Sequence, residues 1–207
     1  MTNSSRVPEL VNAMVGELYR YRLAIKDQEL RIQTAVEKVG SERQRISAEM
    51  ADALFGPSSD IEEFERTIRG IKDGEILSIW RLKTDAQFLV SATYQVHLTA
   101  QAIRDLTEGD QRVCVETSLA AFREDVPDPD LLRHIHEHYG DYLRGDGREA
   151  HRLPAEGVSL DDLVAMTGVG LVYWIGGRMF VLRDVALAAD RLAEAVASCV
   201  GEGPTQD

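Results

Sequence analysis

The stretch Val7–Val39, VPELVNAMVGELYRYRLAIKDQELRIQTAVEKV, decides the fold class. Within it Val7, Val11, Met14, Leu18, Tyr21, Ile25, Ile32, Val36 and Val39 recur mostly at three- and four-residue steps, interrupted by Gln28, and so form one stripe on a helix. A stripe of this kind packs inside a bundle or joins a partner helix in a dimer, and either arrangement needs a facing apolar surface. Gly40 and Ser41 predict a break after it. Ser41 followed by Gln44 reads as a capping box for a second helix that ends near Phe55, because Gly56-Pro57 stops continuation.

Working outward, Ile61, Phe64, Ile68 and Ile71 give a shorter helix an apolar side, with Asp60 at its acidic start and Gly74 as a turn. From Glu75 to Leu106 there is no Pro or Gly, and Ile79, Ala86, Leu89, Thr93, Val96, Ala100 and Ile103 predict a second long helix, its contact face enlarged by Trp80 and Phe88. Residues 111–124 read as a short helix, Asp125-Val126-Pro127-Asp128-Pro129 as a breaker, and residues 130–143 as a further helix. Polar and glycine-rich sequence follows from Gly145, and Ser159-Leu160-Asp161-Asp162 looks like a helix start. Residues 170–175 and 178–182 are strand-like runs around Gly176-Gly177, which predicts a hairpin, and residues 184–199 predict a last helix fed by Val185, Leu187, Ala188, Leu192, Val196 and Cys199. The expected fold class is therefore mainly α: a helical bundle with two long helices and a small C-terminal β-hairpin. Residues 1–200 form one domain in this reading, and 201–207 a flexible tail.

The composition is that of a globular chain: 207 residues, 44% hydrophobic and 28% charged. Acidic residues outnumber basic ones by 35 to 23, a net charge of −12, which disfavours a general grip on nucleic acid or an anionic membrane. No DNA-specific signal and no membrane-spanning run is read from the chain. Cys114 and Cys199 are too few for a disulfide framework and lack zinc-site spacing, so they are expected to be small core side chains in a reducing cytoplasm. The series Arg20, Arg22, Lys26 and Arg31, interleaved with acids, reads as a solvated charged face, and His97 as a histidine packed or solvated at the margin of its helix.

One feature of the composition is not spread out. Four of the five histidines, His134, His136, His138 and His151, fall within eighteen residues. The run Arg133-His134-Ile135-His136-Glu137-His138 resembles the Arg-four residues-His motif of the HEPN family, in which Asn, Asp or His often follows the Arg, as His134 does here. The resemblance implies an all-helical bundle that often forms a homodimer with two facing motifs and, in active members, cuts RNA without a metal or other cofactor. In that chemistry the 2′-hydroxyl attacks the adjacent phosphate, with His138 as general base or acid and Arg133 stabilising charge on the phosphoryl oxygens. His134 would position the phosphate or share the proton transfer. Arg133 and His138 stand about 140° apart around one helix, so a second copy is needed to bring them onto one target. Residues 133–152 hold four Arg and four acids, a neutral island in an acidic chain.

Two other readings of the same residues stand beside this one. His134, His138 and Asp141 lie within about 60° on one helical face and present nitrogen and oxygen donors to a metal, which would still need a ligand from elsewhere. Alternatively the segment is a non-enzymatic surface for a protein partner, with Arg133 paired to Glu137 at i,i+4 and the histidines as interfacial polar residues.

Overall fold

The computed structural model describes residues 6–55, 61–126, 129–130, 164–167, 170–175 and 178–201. Helix α1 spans Val7–Phe55, α2 Ile61–Leu106 and α3 Gly109–Asp125; strands β1 (Val164–Thr167), β2 (Gly170–Ile175) and β3 (Arg178–Val181) follow, and α4 (Leu182–Cys199) comes last. Among the described residues this is a four-helix, mainly α bundle. None of its helices is long and apolar enough to cross a membrane. The chain divides into two compact units, one of Met1–Glu29 with Gln87–Asp207 and one of Leu30–Ala86.

Both long helices carry a seven-residue seam. Along α1 the buried side chains are Val11, Val15, Leu18, Ile25, Ile32 and Val39; along α2 they include Leu82, Ala86, Leu89, Thr93, Val96, Ala100 and Ile103. Alternating steps of three and four keep one side of a helix facing inward over many turns, the pattern of coiled-coil packing. Phe88 is off this seam and 59% exposed, so it does not enlarge the contact face as expected.

The breaks expected at Gly40-Ser41 and Gly74 are absent, because α1 and α2 run through them. The Ser41 hydroxyl does not cap a new helix; it donates to the Lys38 carbonyl at 2.9 Å, one turn back in the same helix. Extending a formed helix by one residue is cheap compared with nucleating another, so a single glycine, costing about 1 kcal/mol, does not end it. A Cβ added at Gly16 or Gly40 meets nothing within 4 Å. Gly16→Ala and Gly40→Ala are therefore each expected to raise stability by about 0.5–1 kcal/mol, read as a higher urea midpoint. A lower midpoint would mean that these glycines serve something other than the helix.

Elsewhere the chain stops where local chemistry demands it. Thr107 folds its hydroxyl onto the Ile103 and Arg104 carbonyls at 3.0 and 3.1 Å and closes α2. Gly109 opens α3 with φ +56°, and Gly201 follows α4 with φ +83°, left-handed conformations that favour glycine.

The α3 and α4 helices pack on each other, with Val115, Leu119 and Phe122 buried from α3. The broad buried face of α4 comprises Leu182, Val185, Ala186, Ala188, Ala189, Leu192, Ala193, Val196 and Ala197. Four of the nine being large and five alanine, the helix presents both filling and close-approach positions. Leu187 lies off this face and is 51% exposed, contrary to expectation.

The expected fold class needs correction at its C-terminal part. Among the described residues there is no self-standing two-stranded hairpin; the strands there are three, in the antiparallel order β1-β2-β3. Val164 pairs with Tyr173 and Thr167 with Gly170, while Val172 pairs with Val181 and Ile175 with Arg178, so β2 is central. Val172 and Phe180 are buried, and β2 and β3 contact α4. A third strand is the physical requirement that the hairpin reading missed, since two strands alone are marginal in water.

The cysteines are also corrected. Cys114 and Cys199 are not separate core residues but form a disulfide, with Cα atoms 5.7 Å apart, joining α3 to the last residue of α4. Cys114 is exposed and Cys199 half-buried. Their helices are held side by side by apolar packing, which brings the Cα atoms within bridging range.

Candidate functional site

Arg133, His134 and His138, together with His136, Asp141 and His151, lie outside the described residues. What is described is the approach to that segment. Pro129 is buried and Asp130 exposed, in helical backbone, three residues ahead of Arg133. The charge of Asp130 acts on His97 of α2.

His97 is 1% exposed. Its ring stacks on Phe122 of α3 at 5.5 Å between centroids and meets Tyr94 edge-on at 6.2 Å. The Gln101 amide nitrogen lies 3.2 Å from His97 Nε2. Among the described residues Nδ1 is buried without a hydrogen-bond partner. Burial, and then the charges of Arg123 and Arg104, push the imidazole below its ordinary value, while Asp130 pulls the other way. A neutral, enclosed ring of this kind cannot serve as a phosphate-binding cation, and its surroundings are those of a core residue. The expected packed histidine is thus found in the core, deeper than the helix margin.

A second polar constellation was not legible in the sequence. Arg22, read there as part of a solvated face, is half-buried on α1 and reaches α4. Its Nε donates to Asp190 Oδ1, its Nη2 donates to Asp190 Oδ2 and to Glu194 Oε2, each at 3.2 Å, and Lys26 Nζ stands 3.4 Å from Asp190 Oδ1. The fork geometry of guanidinium suits this bidentate grip. Hydrogen bonding to Asp190 raises the Arg22 guanidinium further. Burial pushes the Asp190 carboxyl up, but the hydrogen bond and charge of Arg22, helped by Lys26, hold it below the usual range. Since its folded value is depressed, Asp190 stabilises the fold above the unfolded carboxylate pKa, and that contribution is lost as pH falls through the folded value. Asp190→Asn is expected to cost about 1–2 kcal/mol at neutral pH. The gap between variant and parent in urea melts should close below about pH 4. A gap that stays constant into acid would contradict the ionic role.

In the unit Leu30–Ala86, a cleft of about 410 Å³ is lined by Leu30, Arg31, Thr34, Lys38, Arg81 and Asp85, among others. Three cationic side chains and one carboxylate are among its lining residues. Among the described residues no group of three His, Cys, Asp or Glu side chains is placed to hold a metal ion. Comparison with family models, curated proteins and solved structures finds no match for this chain.

Proposed function

We propose that this chain is a HEPN-like, metal-independent ribonuclease or a catalytically silent relative of one, working as a homodimer on RNA. The observation that carries the reading is the run Arg133-His134-Ile135-His136-Glu137-His138. A mainly α chain supports it, as does the absence of net acidity in residues 133–152 within a chain of charge −12. In this reading His138 moves the proton of the attacking 2′-hydroxyl or of the leaving oxygen, Arg133 faces the phosphoryl oxygens, and His134 holds the phosphate. On the helix that the sequence predicts for residues 130–143, Arg133 and His138 would diverge by about 140°, so in this reading the pair that works together comes from two copies.

The experiment is incubation of the full chain with a mixed single-stranded RNA in excess EDTA. Cleavage is expected. Cleavage that appears only when a divalent metal is restored would move the assignment to a metal centre at His134, His138 and Asp141. No cleavage under either condition would leave the silent relative, and an interaction role with a protein partner.

A further inference from the structure

The bridge between α3 and α4 has chemistry that neither the fold nor the ribonuclease reading uses. Its two residues are unequally placed: Cys114 is exposed on α3, whereas Cys199 is half-buried at the end of α4. An attacking thiolate must approach along the S–S axis behind the sulfur that it strikes, so the open side of the bridge is the Cys114 side. The helix pair does not depend on the bridge alone. Val115, Leu119 and Phe122 are buried where α3 meets α4, and Arg191 donates to Asp125 at 2.9 Å across the same pair. Opening the bridge therefore leaves both cysteines near each other.

A hydroxyl stands beside the Cys199 sulfur. Ser118 Oγ donates to the Cys114 carbonyl at 3.0 Å and lies 3.9 Å from Cys199 Sγ. A hydroxyl hydrogen rotates freely, so it can turn to a sulfur that acquires negative charge. That donor offsets the unfavourable position of a thiolate at a helix C-terminus.

We propose that Cys114–Cys199 is a thiol-exchange site: a low-molecular-weight thiol attacks Cys114 Sγ and is carried there as a mixed disulfide, while Cys199 is released as a thiol within a helix pair that stays docked. The incoming thiolate forms the new S–S bond as the Cys114–Cys199 bond breaks, and the electron pair leaves on Cys199 Sγ, which takes up a proton. A second molecule of the thiol then attacks its own kind in the mixed disulfide, freeing the Cys114 thiol. Overall two thiols are oxidised to one disulfide and the bridge takes up two electrons and two protons. The covalent loop closed by the bridge runs from 114 to 199 and contains Arg133, His134 and His138, so exchange frees the segment that holds them from one of its tethers.

The test uses the full chain with reduced glutathione in native buffer, quenched by acid, alkylated and mapped by peptide mass, with far-ultraviolet circular dichroism recorded alongside. Glutathione should appear on Cys114 and the alkylating label on Cys199 while the helical signal is retained. Ser118→Ala should slow bridge opening about fivefold, the loss of one modest hydrogen bond to the leaving sulfur. In single variants, Cys199→Ala should take up glutathione disulfide at Cys114 at least about tenfold faster than Cys114→Ala does at Cys199. The proposal is overturned if the adduct forms on Cys199, or if the bridge opens only in step with loss of the helical signal. Either result can be read from the parent chain even where a variant folds poorly.

Discussion

For the proposed ribonuclease, His138→Ala is expected to lower metal-free RNA cleavage by about 10²–10⁴-fold, the range that a positioned acid or base contributes. The direction follows from what imidazole supplies: it both accepts and donates a proton near neutrality, and alanine does neither. Arg133→Ala should cause a comparable loss for a different reason, since it removes charge from developing phosphoryl anions and leaves proton transfer intact. The two variants are therefore distinguishable. With Arg133→Ala the pH profile of the residual rate keeps its shape, whereas with His138→Ala the limb due to the imidazole disappears. If facing motifs share one target, mixing the two inactive variants restores part of the activity through mixed dimers that retain one intact Arg133 and one intact His138. Rates measured in EDTA on the separate and mixed proteins check all three statements.

The largest expected effect on stability belongs to His97. Truncation to alanine leaves a cavity between Phe122 and Tyr94, against which must be set the removal of a buried ring nitrogen that has no partner among the described residues. The cavity costs about 3 kcal/mol and removal of the unpaired nitrogen returns about 1, so His97→Ala should lose about 2 kcal/mol. His97→Leu fills most of the same volume and carries no polar atom, and should stay within about 1 kcal/mol of the parent. The pH dependence separates packing from charge. The folded imidazole is held below its unfolded value, so protonation of the unfolded chain favours unfolding as pH drops below about 6.5. Urea melts of the parent should show stability falling between about pH 7.5 and 5.5, and the slope should be shallower in His97→Leu. An equal slope in both proteins would mean that His97 does not titrate differently on folding.

The helices were legible where periodicity is the physical cause of burial. Val11, Leu18, Ile25, Ile32 and Val39 were readable as core because a helix returns to the same side every seven residues, and they are buried. Gly40-Ser41 misled because the same residues that cap helices also sit inside them when the seam continues on both sides. Cys114 with Cys199 and Arg22 with Asp190 were not legible for one shared reason. These partners are 85 and 168 residues apart, and their meeting is decided by helix packing, which spacing does not encode. The strand Val164–Thr167 was missed because four residues, VAMT, are too short to show alternation, and pairing with β2 makes them a strand. For the candidate site the case is reversed. The motif at Arg133–His138 is a sequence feature and lies outside the described residues.

The central claim is a chemical one: the 2′-hydroxyl of the substrate is the nucleophile, and His138 and Arg133 act on it without a metal. It is tested most directly by the ends of the cleaved strand. The chain is incubated in EDTA with an RNA and with the same sequence carrying 2′-deoxyribose throughout, and the products are sized and their ends identified by mass. Products ending in 2′,3′-cyclic phosphate from the RNA, with the deoxy strand untouched, are predicted. Cleavage of both strands, or RNA products with simple 3′-hydroxyl ends, would contradict the account.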